Sequence, residues 1–401
     1  MFGIAETTVI TCSVLLLFVW RLLEESYPPI CGIYQRKNGL YWLKVLFMYT
    51  ALSLRKIVNK VRGRVHLSLL ESHQKLSEDE KAIDAVYLNG ANGDGDHLVV
   101  GLARRKNLLV DGFLLLKINS SGLGVLATPK MPSTSLYKDV DDDTYSAEGL
   151  RITPIEDMRK YSLTYEGKMK AYGTSNEDIL YAVKIDAIWI SDLPYFNFDT
   201  DMDPLRLASD MAYEPWSKSY FDTLQKVHQT HYEQFGTLRA KATIGGKVFD
   251  FKLDTLRDHS FGEFREWRTF KRYGCHWFTT ADGDHFNISK ICCPISFSRL
   301  TVGYVYSKKQ RKLYPVTECD LELYQHGAFG NPPKDYAFTA KAGGETYAVQ
   351  VNVKDTPQFF ISKDWEAKIL ENLCTVTVNG VKGWGAAEWQ YRNIQGKCIH
   401  Y

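Results

Sequence analysis

The stretch Asp254-Thr-Leu-Arg257-Asp258-His259-Ser260-Phe261-Gly262, continuing through Arg265, Glu266 and Trp267, packs acids, bases and aromatics into an otherwise apolar region. His231-Tyr232-Glu233-Gln234 precedes it and Gly274-Cys275-His276-Trp277 follows. Alternate residues of a strand share a face, so Arg257 and His259 are expected on one side and Asp258 and Ser260 on the other. In a small barrel one of these faces is the interior, where His and Arg are costly unless paired. A carboxylate such as Glu233 or Glu266 would orient the imidazole and shift its pKa towards proton donation. The same residues also fit a plain structural role, with buried ion pairs tying strand ends together. The candidate catalytic residues are therefore Asp258, His259, Arg257 and Glu233. Tyr232, Phe261, Trp267, His276 and Trp277 are the candidate substrate-binding residues.

Other chemistries find less support. The sequence contains no Walker motif, G-x-S-x-G or dinucleotide fingerprint. The eight cysteines form no C-x-x-C pair, and no histidine spacing suggests zinc, so no metal or other cofactor is expected. Scattered cysteines in a large chain fit a reducing compartment. The acidic run Asp139-Val-Asp-Asp-Asp143 and the D-x-D-x-D at Asp199, Asp201 and Asp203 lack the Gly and distal Glu of a calcium loop. A net charge of +2 argues against a polyanion binder, so no nucleic-acid partner is expected.

Short strands must position these residues. Leu98–Leu102, Leu108–Ile118, Leu150–Thr153, Lys160–Tyr165 and Leu180–Ile188 read as strands, with a turn at Asn119-Ser-Ser-Gly122. Gly245-Gly246, Asp282-Gly283, Gly343-Gly344 and Asn379-Gly380 each join two such runs, and these dipeptides accept the positive φ of two-residue hairpins. Such a series predicts an antiparallel meander closed as a barrel. Aromatics at 13% suit both a pleated core and a pocket for an apolar ligand. Pro204 to His228 is expected to hold one or two helices.

The N-terminal region reads differently. Thr7 to Leu23 is apolar apart from Arg21, with Glu6 rather than a basic residue before it and no small-residue cleavage site after it, so it reads as a membrane anchor and not a signal peptide. Leu40 to Leu54 is apolar, too short to span comfortably, and flanked by Tyr41, Trp42, Arg55 and Lys56, which predicts an in-plane or re-entrant helix. A buried core helix is the alternative. From Ser26 to Leu70 there is no acidic residue, while Arg36, Lys37, Lys44, Arg55, Lys56, Lys60, Arg62 and Arg64 are basic. The positive-inside rule then places the body in the cytosol, on a single-pass chain of the endoplasmic reticulum, and leaves the sequons at Asn119 and Asn287 unused.

Tyr232-Glu233-Gln234, Gly245-Gly246 and Arg257-Asp258-His259-Ser260-Phe261-Gly262 with Arg265 and Trp267 together resemble the signature of the carotenoid 1,2-hydratase (hydroxyneurosporene synthase) and AttH superfamily. The likeness spans roughly Ala82 to Arg392. It implies two lipocalin-like antiparallel β-barrels, in a superfamily that includes hydratases and, at fold level, fungal cyclases of the Diels–Alderase type. Asp320-Leu-Glu-Leu-Tyr-Gln-His-Gly327, Pro333 to Phe338 and Asn379-Gly-Val-Lys-Gly-Trp-Gly385 with Glu388 and Arg392 are similar to animal proteins related to the N-terminal region of phosphoenolpyruvate-synthase-like or rifampicin-phosphotransferase-like polypeptides. The superfamily pattern usually has Trp where Phe261 stands, which weakens cation–π stabilisation of a carbocation.

The expected organisation is a mostly β chain: an anchor over residues 1–25, a basic interfacial helix and linker over 26–81, a first lipocalin-like domain over 82–230 and a second over 231–401. The expected activity is acid–base hydration, isomerisation or cyclisation of a lipophilic isoprenoid, polyene or acyl substrate. The alternatives are a lipid or isoprenoid carrier without catalysis, and an accessory subunit of a phosphotransferase. The expected partners are thus a lipophilic small molecule, a membrane and a phosphotransferase-type protein.

Overall fold

A computed structural model describes residues 11–19, 27–62, 70–140, 142–173, 179–327, 330–394 and 397–398. Two antiparallel barrels of eight strands each make up the body. The first runs Ile83–Ala91, His97–Arg104, Leu109–Lys117, Val125–Ala127, Lys160–Ala171, Leu180–Ile190, Thr230–Ile244 and Lys247–Gly262. It closes because Thr230–Ile244 pairs with Leu180–Ile190 on one side, while Lys247–Gly262 pairs with Ile83–Ala91 on the other. The second contains Arg272–Thr280, His285–Cys293, Phe297–Ser307, Lys312–Cys319, Asp335–Ala342, Glu345–Asp355, Ala367–Val378 and Val381–Ile394. It closes through the pairing of Arg272–Thr280 and of Ala367–Val378 with the same strand, Val381–Ile394. Closure of the main strands leaves only short strands, such as Phe196–Asn197, Tyr145–Ala147 and Gln358–Ile361, at the sheet margins.

The hairpin turns lie where glycine permits them. Gly245 and Gly246 have φ of 54° and 86°, and Asn379 and Gly380 have 48° and 86°. The expected division at residue 230/231 is corrected by the register. The hairpin Thr230–Gly262 closes the first barrel, so the chain passes to the second barrel only between Gly262 and Arg272. The dense polar motif therefore belongs to the last strand of the first barrel.

Three apolar cores follow from strand alternation. One fills the first barrel around Leu88, Leu163 and Trp189, and a second fills the other barrel around Ile288, Val305 and Trp389. A third joins outward-facing residues of both, including Val99, Phe113, Leu256, Tyr304 and Phe359, and so glues the barrels together.

Two short helices, Pro204–Ala212 and Lys218–Lys226, bridge the barrels, as expected for this segment. Asp203 and Ser217 cap them by accepting the backbone N–H groups of Arg206 and Tyr220, and Pro204 supplies the fixed φ of a first turn. The predicted interfacial helix extends from Tyr41 to Arg62. Residues 11–19 are helical, and the rest of the expected anchor Thr7–Leu23 lies outside the described residues. Among the described residues, no helix is long and apolar enough to cross a membrane, so the single-pass anchor finds no support there.

Candidate functional site

A cavity of about 610 Å³ opens between the two barrels. Its wall is mostly apolar, and both barrels contribute outward-facing residues: Ala85, Tyr87 and Phe113 from the first, Tyr273, Trp277, Ile291 and Val302 from the second. The bridging helices and the helix Tyr41–Arg62 close it on another side through Leu207, Met211, Leu224, Leu52 and Asn59.

Strand alternation sorts the sequence candidates into two groups. Asp258 and Ser260 face outward and line the cavity, and Glu233 lines it from the neighbouring strand, as does the adjacent His231. Trp267 and Trp277 also line it. Arg257, His259 and Tyr232 point the other way, into the first barrel, where they are 0–1% exposed. His276 is buried inside the second barrel, where Nδ1–H donates to the Ile288 carbonyl at 3.0 Å and Nε2 accepts from the Tyr336 hydroxyl at 2.7 Å. Burial pulls its pKa down to about 4, which keeps the ring neutral. Phe261 is half-buried, its ring 5.1 Å from that of His259, and does not line the cavity.

The inward group forms a sealed network at one end of the first barrel. His259 Nε2 lies 2.7 Å from Asp84 Oδ1, and His259 Nδ1 lies 2.9 Å from the Tyr232 hydroxyl. Tyr232 donates to Glu71, which also pairs with Arg257 at 3.0 Å. Arg257 reaches Tyr161 and Gln234 as well, and its guanidinium stacks over the Tyr161 ring at 4.5 Å. Asp84 is further held by Arg104 at 2.7 Å and by the Gln74 N–H. Burial alone would raise the Asp84 carboxyl, but the hydrogen bond and charge of His259, with Gln74 and Arg104, hold it below the usual range. The expected partners of His259, Glu233 and Glu266, are thus corrected. Glu233 lies on the opposite face, and Glu266 pairs with Lys81 at 3.3 Å. Asp84 on the first strand takes that place, while the linker residue Glu71 pairs with Arg257 and accepts from Tyr232.

The outward group contains two clusters of charge. In the first, His231 Nε2 lies 3.3 Å from both Glu233 Oε1 and Asp258 Oδ2. Burial opposes the imidazolium, yet the two carboxylates carry the His231 pKa up to about 10. The Asn287 amide donates to Glu233 Oε2 at 2.6 Å, so its sequon is buried, whereas Asn119 is exposed. One ligand atom each from His231, Glu233 and Asp258 lies within 4.8 Å of the others, a spacing a metal ion accepts. A metal would have to displace the imidazolium proton that the same two carboxylates favour.

In the second cluster, Glu371 and Glu388 face each other on paired strands. Burial raises both carboxyls above the ordinary range, and the Glu388 charge beside it raises Glu371 further, so the pair keeps a proton that two separate carboxylates would lose. Tyr273 donates to Glu388 Oε1 at 2.5 Å and Tyr87 to Glu371 Oε1 at 3.3 Å. Glu388 and Tyr273 line the cavity, and the charge of Asp258 adds to the upward shift of Glu388. No candidate list drawn from the motif includes this pair. The available signal was a lone carboxylate in each of two apolar strands, Ile369-Leu-Glu371-Asn-Leu373 and Ala386-Ala-Glu388-Trp389.

The chain belongs to a family of unknown function, DUF8627, whose sequence model matches residues 8–391. No curated protein sequence matches it. The fold is similar to that of an AttH-type protein of Nitrosomonas europaea, with a TM-score of 0.53 and 10% identity over 80% of this chain and 98% of that one. Kievitone hydratase of Nectria haematococca has a TM-score of 0.46 and 11% identity over 79% of this chain and 90% of its own. CghA bound to Sch210972 has a TM-score of 0.45 and 8% identity over 78% and 89%. At these identities the AttH likeness speaks to the fold alone, and that fold is the two-barrel arrangement expected from the sequence motifs. None of these findings links the chain to phosphoenolpyruvate-synthase-like polypeptides, and the phosphotransferase association stays an expectation.

Proposed function

We propose that this protein binds an unsaturated, lipophilic substrate between its barrels and transforms it by acid–base chemistry. The observation that carries the reading is the placing of Glu371 opposite Glu388 in register, with Glu388 at the wall of an apolar cavity, and burial raises both carboxyls. Glu388, the member that reaches the cavity, is the proposed acid, and it delivers the proton it shares with Glu371. Its proton goes to one carbon of a double bond, and the neighbouring carbon becomes cationic. Tyr87, Trp277 and Trp267 present ring faces that shield such a cation. A water adds to the cation and gives up its proton to Asp258 or Glu233, for net hydration. Loss of a proton from the adjacent carbon instead gives an isomer, and attack by a second double bond closes a ring. His231 is a positioning residue that holds the two carboxylates in place. An isoprenoid, polyene or acyl chain matches the size and apolarity of the cavity. In this reading Arg257 and His259 are structural.

The test is extraction and mass spectrometry of the small molecules that accompany the purified protein, followed by their incubation in D₂O. Deuterium incorporation by wild type but not by Glu388→Gln supports the proposal. A bound apolar ligand that emerges unlabelled from the wild type points to a carrier, and protein that repeatedly purifies without an apolar ligand refutes the cavity reading.

A further inference from the structure

The helix Tyr41–Arg62 has two apolar faces and only one of them is covered. Its inner stripe, Tyr41, Val45, Met48 and Leu52, packs on the bridging helix Pro204–Ala212 through Ala208, Met211 and Ala212. Its outer stripe, Trp42, Leu43, Leu46, Phe47, Leu54 and Ile57, is 58–68% exposed. Trp42, Leu43, Leu46 and Phe47 are spaced i, i+3 and i, i+4, and Leu54 and Ile57 continue this band on the same side of the helix after a turn occupied by the small residues Thr50 and Ala51. The helix spanning residues 11–19 likewise exposes Val14 to Phe18.

Charge identifies what covers the band. Among residues 27–62 there are cations at Arg36, Lys37, Lys44, Arg55, Lys56, Lys60 and Arg62 and no carboxylate side chain at all, although Lys44 turns inward to donate to the Glu214 carbonyl. Lys37 sits over the Tyr41 and Trp42 rings, at 4.8 and 5.0 Å, so that a cation and an amphipathic aromatic mark one end of the band. A second copy of this chain would oppose the same positive face and be repelled. An anionic lipid surface offers both the negative headgroups and the acyl boundary that the band requires.

The same helix borders the cavity. Leu52, Arg55, Lys56 and Asn59 line it, and Arg55 and Lys56 are also exposed, so the cavity reaches the surface beside the helix. We infer that the protein lies on an anionic bilayer with this helix in the plane of the membrane, and that the cavity mouth exchanges its apolar ligand directly with the lipid. The docking stands on the helix alone; the exchange rests on the apolar-substrate reading above. It removes the need for an insoluble molecule to cross water, for which partition out of the bilayer is strongly unfavourable.

The experiment uses the full chain and phosphatidylcholine vesicles with and without phosphatidylserine. Flotation should be strong with phosphatidylserine and weak without it, and should fall as salt is raised. Brominated lipid should quench fluorescence that the Trp42→Phe variant lacks, which locates the helix at the lipid even if another segment also binds. Leu43→Asp with Leu46→Asp, both exposed, should leave thermal stability unchanged and remove the Trp42 quenching. The same double variant should slow uptake of the fluorescent polyene parinaric acid from vesicles at least tenfold, while uptake from free solution is unchanged. Flotation without Trp42 quenching, or no flotation, overturns the docking. Flotation and quenching by a wild type that takes up no parinaric acid from either source overturns the exchange and the apolar-ligand reading with it, and leaves the docking intact.

Discussion

Glu371 and Glu388 are register partners on adjacent antiparallel strands, and both carboxyls are turned to the inter-barrel side. Two carboxylates placed there cannot both ionise without mutual repulsion in a poorly solvated site, so the pair holds a proton that either residue alone in water would lose. Their folded pKa values are raised above the unfolded carboxyl value of 4.5. Stability from this proton is therefore full below that value and is lost as pH rises through the raised folded pKa.

Replacing one member with its amide removes the need to hold a proton. Glu371→Gln should flatten the decline of melting temperature with pH above 4.5, relative to wild type. Glu388→Gln should do the same and also lower turnover by about 10²–10⁴-fold, the usual contribution of a positioned acid. Melting curves across pH, with turnover measured on the same samples, check both. A Glu388→Gln enzyme with undiminished turnover would remove this group as the acid.

His231 yields a second pH signature. Its pKa rises from 6.5 to about 10 in the fold, because the Asp258 and Glu233 carboxylates outweigh the burial that opposes its charge. The stability it contributes is full below pH 6.5 and disappears as pH rises through about 10. His231→Gln should be destabilising at pH 6 and nearly neutral at pH 10, as read by denaturant melts at the two values. Equal destabilisation at both would show that the imidazole acts through packing alone.

The network inside the first barrel should respond to mutation through stability. Arg257 and Glu71 are both about 1% exposed and pair at 3.0 Å. Arg257→Met leaves the Glu71 carboxylate buried without its cation, a change that typically costs about 3–5 kcal/mol. Adding Glu71→Met should recover much of that loss, since an apolar replacement of the whole pair leaves no orphaned charge. His259→Ala should also act mainly on the melting temperature, because its ring reaches Asp84, Tyr145 and Tyr232 but not the cavity. Urea titration of the single and double variants gives the coupling. An unaltered midpoint for Arg257→Met would contradict the network.

Much of this arrangement was legible in the sequence. Gly-Gly and Asn-Gly pairs mark the hairpins because their positive φ is a local requirement. The alternation that sends Arg257 and His259 one way and Asp258 and Ser260 the other is likewise local, and the strand obeys it. What alternation does not encode is which face is the barrel interior and which is the cavity. That depends on closure, and closure is set by pairing with Ile83–Ala91 and Leu180–Ile190, far away in sequence. For the same reason the carboxylate partners of His259 and Arg257 were missed. Asp84 is 175 residues away, and Glu71 belongs to a stretch that reads as a polar linker. The Glu371–Glu388 pair was hidden similarly, since each glutamate becomes informative only when register sets one opposite the other.

Trp277 tests the cavity as a ligand site. It stands on the outward face of Arg272–Thr280, 7% exposed, with its ring 5.6 Å from that of Tyr87. One side of the indole already faces open volume, so truncation forfeits fewer contacts than in a close-packed core, and Trp277→Ala should cost about 3 kcal/mol, at the low end for a buried Trp. Trp277→Phe keeps an aromatic face and should cost less. The larger effect falls on selection by size. Removing the indole enlarges the cavity beside Tyr87, so the longest polyene that still raises the melting temperature should be longer for Trp277→Ala than for wild type. A thermal-shift series over polyenes of graded length reads this directly. The same length preference in both proteins would mean that Trp277 does not bound the ligand, and would move the binding site away from the region between the barrels.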